Sequence, residues 1–499
     1  MTLAILALYL ASVLAVGVLS HRLFRGTGED YFVATRTIGP FVLLMSLFGT
    51  NMTAFSLLGA SGEAYRIGIG VFGLMASSSA IVIPLVFMTI GTRVWSLGKR
   101  HGLLTQAQLV RARFANDGLG LLLFAVLVLL VIPYLLIGVK GGGLTLEAIT
   151  GGRVPPWVGG LVITAVVLIY VTFGGLRGTA WVNTFQTLVF MVLGAVTLGY
   201  IVHRLGGLQV ALDRIEAARP ELLVRGENVR RLQHLSYLLI PLSAGMFPHL
   251  FIHWLSARRA ETLRLSVVAY PLCMAVVWVP SVLLGVLGRD TFPALEGPAA
   301  GGVLIRMIEH HAPEVLAGLL GAGVLAAVMS SLDSQVLALG TMFTQDIVRH
   351  YGFDDRMSER AQVLVGRAFV AGVLVLTYAL SLVVDTSIFG LAVWSFSGFA
   401  ALVPLVLAAL YWRRATAAGA IAAVLATAFT WIFFFLDGSQ TPGYSVGGSG
   451  LMPVAVMLAA STLALIAVSF ATLPPPPEVI DRFVPSRATA AAEMPVGGV

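Results

Sequence analysis

Apolar runs long enough to cross a membrane recur along almost the whole chain. The first run covers 2–20, and the later runs fall at 39–60, 70–95, 118–139, 156–173, 181–203, 235–256, 266–287, 314–344, 364–385, 388–411, 416–436 and 450–472. Because the hydrocarbon core of a bilayer accommodates about 20 apolar residues per helix, each run predicts one crossing. The pattern therefore predicts an all-α polytopic membrane protein with about 13 transmembrane helices.

Composition excludes a soluble protein, and the sequence motifs argue against an enzyme. Hydrophobic residues make up 58% of the chain and charged residues 11%, whereas soluble domains carry about 25% charged residues. The net charge of +7 needs no nucleic-acid partner, since Lys and Arg cluster between apolar runs as membrane topology requires. The single cysteine, Cys273, rules out a disulfide framework. We find no metal, haem or phosphate-loop spacing and no catalytic set, so the chain is predicted not to be an enzyme.

The distribution of basic residues predicts the orientation. Arg22 and Arg25 follow the first apolar run, and most other Lys and Arg residues fall in loops on the same side. The positive-inside rule then places the N-terminus outside and the C-terminus in the cytoplasm. The loop at 204–231 has an amphipathic pattern that predicts a short surface helix. Residues 473–499 carry four prolines at 474–477 and predict a flexible cytoplasmic tail.

Two apolar runs contain polar residues and helix breakers near their middle. One interruption lies at 49–53 and the other at 243–249, in the second and the seventh predicted crossings. Unwound backbone at membrane depth is tolerated only where it lines a cavity or is buried in protein. Interruptions at corresponding positions of two halves are typical of inverted-repeat transporters with a binding site at the midplane.

This spacing predicts a division of the chain. The two interruptions lie five crossings apart, which predicts a five-plus-five repeat within a single transporter domain, residues 1–472. The predicted parts are one extra N-terminal helix, a first repeat, a second repeat and two C-terminal helices, at 2–20, 39–203, 235–411 and 416–472.

A polar cluster interrupts the run at 314–344. Ala327, Ser330, Ser331 and Ser334 share one face of a helix, with Asp333 at its edge. A charge at the centre of a membrane helix costs about 2.5–3.5 kcal/mol on insertion scales, and hydroxyl oxygens are hard ligands for small cations. The cluster predicts an ion or proton site. The alternative is that the hydroxyls bond back to carbonyls of their own helix.

Six motifs in order along the chain resemble the sodium/solute symporter family, whose members have the LeuT-type fold. They are Tyr31–Pro40 leading into the first core helix, then GTNMTAFSLLGASGEAY at 49–65, FGGLRGTAWVNTFQ at 173–186, FPHLFIHW at 247–254, LAAVMSSLDS at 325–334 and LYWRRATAAGA at 410–420. The resemblance implies a secondary active transporter that couples Na⁺ to the uptake of a small organic solute by alternating access.

The resemblance also implies a sodium site. The family's site uses two main-chain carbonyls of the first core helix, which fall on Gly49 and Met52, and one of the eighth, which falls on Ala327. The hydroxyls of Ser330 and Ser331 complete the set. Five oxygens without a full charge are expected to bind the ion weakly enough to release it in each cycle.

The chain departs from the family at a second cation position. Some members use an aspartate in the signature helix, where this chain has Asn183, and hydroxyls where it has Asp333 and Ser334. One acid is lost and another is gained at positions expected to face each other. We therefore predict a second Na⁺ or H⁺ site formed by Asn183, Ser330, Asp333 and Ser334. The alternative is that Asp333 pairs with an arginine on the cytoplasmic side and gates the exit.

Solute-binding residues are expected on the first broken helix. Where sugar-transporting relatives carry long polar side chains, this chain has Phe55 and Ser56, which favours a smaller or more apolar solute. Thr53, Phe55 and Ser56 are the predicted contacts.

Further candidates lie on the sixth and tenth core helices. His249 and His253 are spaced to share a helix face, and His249 is predicted to bind a carboxylate of the solute or to sense pH. Trp394 and Phe396 are predicted to close an outer gate. For all four residues the alternative is ordinary packing in the core.

Three other functions remain open at this point. A transporter-like membrane sensor or regulatory protein would keep the fold, a passive uniporter or channel would lack ion coupling, and a proton-coupled transporter would use Asp333. The expected partners are the solute, the sodium ion and the lipid bilayer, with no nucleic acid and no obligate protein partner.

Overall fold

The computed structural model describes residues 2–19, 38–226, 229–352, 357–441 and 443–484. Within these ranges the backbone is mostly helical. The helices are α1 Thr2–Leu19, α2 Pro40–Asn51, α3 Phe55–Gly70, α4 Phe72–His101, α5 Gln106–Phe114, α6 Asp117–Ile149, α7 Pro156–Arg204, α8 Leu208–Ala218, α9 Arg231–Gly245, α10 Pro248–Ser256, α11 Thr262–Thr291, α12 Val303–His311, α13 Glu314–Arg349, α14 Glu359–Ser381, α15 Ile388–Tyr411, α16 Ala417–Gly438, α17 Pro453–Ala471 and α18 Pro477–Phe483.

The described ranges contain fewer helices of membrane-spanning length than the apolar runs predict. In the described ranges, nine helices are long and apolar enough to cross a membrane, or up to 11 when each of two bent pairs forms one span. The bent pairs are α2 with α3, at 59°, and α9 with α10, at 49°. The apolar stretches Thr2–Val16 and Pro156–Ile169 are shorter. The all-α membrane architecture is confirmed, but the count of 13 is not.

The helix α7 contains two of the predicted crossings. Its start packs on α6, where a Cβ on Gly143 would meet the Pro156 carbonyl. The same end of α6 meets α13 at Gly321, and only two residues further along α13 a Cβ on Gly323 would meet Leu193 of α7. Two parts of α7 that are 37 positions apart thus lie at one level of the bundle. A straight helix would separate them by about 55 Å, so the chain reverses direction between them.

The helix α13 lies largely inside the bundle and packs against α1, α2, α6, α7 and α14. Glycines on its surface permit this close packing, because a Cβ on Gly321 or Gly323 would overlap with Ile149 or Leu193. The polar cluster 330–335 therefore lies inside the bundle, where every one of its residues is buried.

The loop at 204–231 and the start of the tail each contain a short helix. The amphipathic loop carries α8, which buries Ala211 and Ile215, as the pattern predicts. At the start of the tail, Ile480 and Phe483 of α18 are buried against the bundle, and the flexibility of the tail stays a prediction. The prediction missed this helix because a run of four prolines, 474–477, leads into it. Arg22, Arg25, most of the Tyr31–Pro40 motif and residues 485–499 lie outside the described ranges.

Candidate functional site

The first helix break frees backbone groups in the middle of the bundle. The helix α2 ends at Asn51, and Met52 has an extended backbone, with φ −88° and ψ 95°. Thr53 then starts α3, since its hydroxyl accepts a hydrogen bond from the Phe55 amide at 3.0 Å. The predicted solute contact Thr53 is therefore engaged in capping a helix. Carbonyls near the break lose their helical partners and are available to other ligands.

The break faces the polar cluster of α13. The Ser330 hydroxyl lies 2.9 Å from the Gly49 carbonyl and 3.2 Å from the Ala327 carbonyl, so it can donate to either oxygen. The Ser331 hydroxyl donates to its own helix, at the Val328 carbonyl, over 3.1 Å. The structure thus brings Gly49, Ala327 and Ser330 together from two helices. Met52 and Ser331 are buried on the same two segments.

Gly49 is held tightly against α7. A Cβ at this position would overlap with the Thr187 hydroxyl, which donates to the Met45 carbonyl of α2 at 3.0 Å. Only a residue without a side chain fits here. Thr187 therefore fixes the height of α2 relative to α7, a role that the sequence motifs did not single out.

The residues of the predicted second cation position lie together on α7 and α13. With its amide nitrogen toward α13, Asn183 donates to both carboxylate oxygens of Asp333, at 3.0 and 3.1 Å, and to the Ser330 carbonyl at 3.2 Å. Its amide oxygen then accepts from the Ser334 hydroxyl at 2.6 Å. This orientation satisfies both ends of the amide. Asp333 is fully buried. The carboxylate of this cluster therefore belongs to α13 and not to α7.

A cavity lies between the two helix breaks. The space inside it that a water-sized sphere can occupy is about 30 Å³, enough for one or two water molecules. Its wall is formed by residues of α2, α3, α4, α9, α11 and α15 and the two breaks, namely Asn51, Met52, Phe55, Ser56, Ser79, Ile83, Tyr237, Ile240, Pro241, Ser243, Ala244, Phe247, Trp278 and Phe396. The cavity includes three predicted residues, Phe55, Ser56 and Phe396, together with Met52 from the predicted sodium site.

The two histidines of α10 and the tryptophan of α15 lie elsewhere. His253 bonds Ser46 at 2.7 Å and the His249 carbonyl at 2.6 Å, which makes it an interface histidine. His249 stacks on Phe247 of the cavity wall at 5.2 Å, and neither of its ring nitrogens has a hydrogen-bond partner among the described residues. His249 thus lies behind the wall, one side chain away from the cavity.

Trp394 is a packing residue. Its ring packs against Phe435 at 5.6 Å and Tyr444 at 6.0 Å, and its carbonyl accepts from the Trp431 indole at 2.8 Å. These contacts join α15 to α16 and the loop that follows it. These contacts are with the additional C-terminal helices, and the gating role of Trp394 stays a prediction. Phe396, the other residue predicted at the gate, lines the cavity.

A buried polar network contacts the second break at Met246. Gln106 of α5 donates to the Met246 carbonyl at 2.7 Å. The neighbouring Thr105 donates to Asp346 of α13 at 2.8 Å, and Arg111 of α5 lies 3.7 Å from the same carboxylate. The short helix α5 therefore connects the broken helix α9–α10 with the polar end of α13. We call the part of the bundle that contains these residues the α5 end.

Comparison with known proteins decides the family. The model of the sodium:solute symporter family matches residues 31–427, which is most of the chain. The chain belongs to the sodium:solute symporter family. The resemblance drawn from the six motifs is thus confirmed, and sodium is the coupling ion of this symporter.

Similar proteins are sodium-coupled and related transporters. The symporter is 26% identical to the osmoregulated proline transporter of Bacillus subtilis strain 168, over 87% of this chain and 88% of the relative. It is 27% identical to the sodium/pantothenate symporter of Escherichia coli K12, over 84% and 87%. The relatives are transporters, and the prediction that this chain is not an enzyme agrees with them.

Solved structures confirm the fold. A Na⁺-coupled sialic acid symporter in a substrate-bound, outward-open state superposes with a TM-score of 0.77 at 18% identity, covering 95% of this chain and 98% of the other. A nucleobase-cation-symport-1 family transporter superposes with a TM-score of 0.59 at 14% identity, covering 94% and 99%. At this identity the likeness concerns the LeuT-type fold alone.

Proposed function

We propose that the symporter binds its sodium ion between α2 and α13, through the carbonyls of Gly49, Met52 and Ala327 and the hydroxyls of Ser330 and Ser331. The observation that carries this proposal is the bond from Ser330 to the Gly49 carbonyl. It places a hard oxygen pair from two different helices at one point, beside a break that frees further carbonyls. Sodium would replace that hydrogen bond with ion–oxygen contacts to both partners.

The position of this site accounts for coupling. The proposed sodium ligand Met52 also lines the cavity, so one residue would contact both the ion and the solute compartment. An ion that fixes the broken segment also fixes the wall against which the solute packs. Binding energy from the ion is then available to order the solute site, which is positive cooperativity between two ligands.

The solute site is proposed to be the cavity between the two breaks. Half-helices that meet at such breaks form midplane sites in transporters of this architecture. The relatives are named for proline and for pantothenate, which supports a small organic solute. Phe55, Ser56 and Phe396, which line the cavity, are the proposed solute contacts, and His249 stacks on Phe247 behind the wall.

The proposed topology places the α5 end in the cytoplasm of a bacterial inner membrane, with the N-terminus outside. Basic residues of the α5 end support this orientation, because Lys and Arg are enriched in cytoplasmic loops. They are Arg93, Lys99, Arg100, Arg111 and Arg113. We propose that residues 1–472 form one transporter domain in the lipid bilayer, with no obligate protein partner.

We propose that Asn183, Ser330, Asp333 and Ser334 form a second cation site. Replacing Asp333 by serine removes its only carboxylate while keeping a hydroxyl oxygen. We expect the Hill coefficient for Na⁺-driven uptake to fall from near 2 to near 1, because one ion loses its charged ligand. The measurement is the initial uptake rate in proteoliposomes as a function of Na⁺ at fixed pH.

The same variant separates the competing roles of Asp333. A proton-coupled site would lose the dependence of uptake on an imposed pH gradient and keep its Na⁺ coefficient. A gate that pairs with an arginine would lose rate with both dependences unchanged. An unchanged Na⁺ coefficient would contradict the second sodium site.

Transport itself is tested with the purified full chain in proteoliposomes. An inward Na⁺ gradient is expected to drive accumulation of the solute, and a K⁺ gradient of the same size is not. A membrane sensor that retains the fold would bind solute without net flux. A passive uniporter would give flux that is indifferent to Na⁺.

A further inference from the structure

The wall of the solute cavity contains three buried polar atoms without a hydrogen-bond partner among the described residues. They are the Ser56 hydroxyl, the Tyr237 hydroxyl and the Trp278 indole nitrogen. The three side chains are at most 3% exposed. Buried polar groups in folded proteins are nearly always satisfied, so each unpaired group requires an explanation.

The three atoms come from separate elements. Ser56 lies on α3, Tyr237 on α9 and Trp278 on α11, and the cavity is the feature they share. Unpaired buried atoms occur elsewhere too, for example at Tyr134 and Trp254, but these three border one cavity. A ligand that accepts hydrogen bonds would satisfy all three. Because the indole nitrogen can only donate, the ligand must bring an acceptor to Trp278.

The rest of the wall is uncharged and aromatic. None of its 14 lining residues is Asp, Glu, Lys, Arg or His. The Phe396 ring lies between two others, with centroid distances of 5.4 Å to Phe55 and 5.2 Å to Phe247. A solute with a net charge would have no opposite charge in this wall. A cationic nitrogen, by contrast, is attracted to aromatic faces, and a carboxylate matches three donors.

We propose that the cavity selects a compact zwitterion. Its carboxylate accepts hydrogen bonds from Ser56, Tyr237 and Trp278, and its cationic nitrogen packs against the phenylalanine rings. Sugars are excluded because several of their hydroxyls would be buried against the phenylalanine rings. Tyr237 and Trp278 are thus specificity-determining residues that the sequence motifs do not mark. This proposal rests on the assignment of the cavity as the solute site.

Calorimetric binding to the purified full chain tests the solute class. The probes are the 20 proteinogenic amino acids and glycine betaine, against the amides of the best binders and a set of hexoses, in NaCl and in KCl. We expect a compact zwitterion to bind in NaCl and its amide to bind at least tenfold more weakly. Trp278→Phe is expected to weaken that binding about tenfold, and Tyr237→Phe severalfold. Trp157→Phe is the matched control, because Trp157 is exposed.

The outcomes distinguish failure of the proposed solute class from failure of the proposed sodium site. If hexoses bind better than every zwitterion, if no zwitterion binds, or if an amide binds as well as its acid, the solute class is wrong. Sodium coupling is read independently, as the rise in melting temperature in NaCl over KCl and as Na⁺-driven flux. Sodium responses that survive a failed solute panel leave the sodium-site proposal intact. If those responses are absent, the sodium-site proposal fails instead.

A second, independent observation concerns α18 at the α5 end. The Phe483 carbonyl accepts from Arg93 at 3.0 Å, and the Phe483 ring stacks on His101 at 4.9 Å, so α18 is bound to α4. Asp481 forms an ion pair with Arg413 at 2.8 Å, which binds α18 to the residues directly after α15. The short helix therefore bridges the first repeat and the end of the second.

The charge of Asp481 is well placed for this bridge. Arg113 of α5 is largely buried and donates to the Trp412 carbonyl at 3.0 Å. Burial, and to a lesser extent the nearby Arg413, lower the pKa of Arg113 to about 10, so two like charges remain close at neutral pH. Asp481 offsets that repulsion on the side of Arg413. Alternating access requires the two repeats to move against each other, and this contact opposes such movement at the α5 end.

We propose that residues 477–484 form a latch that keeps the α5 end closed. Phe483→Ala and Asp481→Asn are expected to raise the initial rate of Na⁺-driven uptake two- to fivefold and to increase hydrogen–deuterium exchange in α5. Glu478→Gln is the matched control, because Glu478 is exposed on the same helix and loses the same charge. A chain ending at Thr472 should behave like the latch variants.

The latch is contradicted if the variants keep the wild-type melting temperature and show unchanged uptake and unchanged exchange in α5. It is equally contradicted if uptake falls, since a purely structural contact would lower activity when removed. In both cases the sodium and solute sites are unaffected by the result.

Discussion

Replacing Ser330 and Ser331 together by alanine is expected to raise the Na⁺ concentration for half-maximal uptake about 100-fold. The double variant removes two of the five proposed sodium ligands, and a tenfold loss of affinity per ligand corresponds to about 1.4 kcal/mol each. It also removes the bond from Ser330 to Gly49 that joins α13 to the break. The measurement is the initial uptake rate in proteoliposomes over a wide range of Na⁺.

The single variants and one control sharpen this result. Ser330→Ala is expected to have the larger effect, because its hydroxyl reaches across to α2, whereas Ser331 bonds within its own helix. Ser397→Ala is the control, since this buried hydroxyl also bonds back within its helix, at Val393 over 2.6 Å. A double variant with wild-type Na⁺ dependence would contradict the proposed sodium site.

Gly49→Ala is expected to abolish sodium-driven uptake. The added methyl group would overlap with the Thr187 hydroxyl and lie 3.4 Å from the Asn183 carbonyl, so α2 must move away from α7. Such overpacking typically costs 1–3 kcal/mol, and here it displaces a carbonyl proposed to bind the ion. The melting temperature of the purified protein and its uptake rate measure the two consequences.

A second substitution should restore part of the loss. Thr187→Ala removes the hydroxyl that the new methyl group would meet, while Cβ of residue 187 stays 3.3 Å away. We therefore expect Gly49→Ala/Thr187→Ala to recover a substantial part of the uptake. Thr187→Ala alone loses only the bond to Met45 and should reduce uptake slightly. If the double variant is no better than Gly49→Ala, steric contact with Thr187 is not the cause.

The sequence by itself determined the class, the fold and the family of this protein. Apolar runs define membrane helices because backbone groups in lipid must be satisfied within the helix, a rule that needs no tertiary information. The same rule marks the interruptions at 49–53 and 243–249, which are the two bent pairs of the structure. The acid exchange between Asn183 and Asp333 was also visible in sequence, because both positions belong to recognisable motifs.

Only the tertiary structure decided which side chains face the cavity. Helical periodicity gives a side chain's direction around its own helix, but not the partner on the other side. Thus Trp394, predicted at a gate, packs on the C-terminal helices, while Tyr237 and Trp278 line the cavity although no motif marks them. The closeness of Gly49 to Thr187 likewise joins residues 138 positions apart. Such contacts depend on how whole helices pack, which no local pattern encodes.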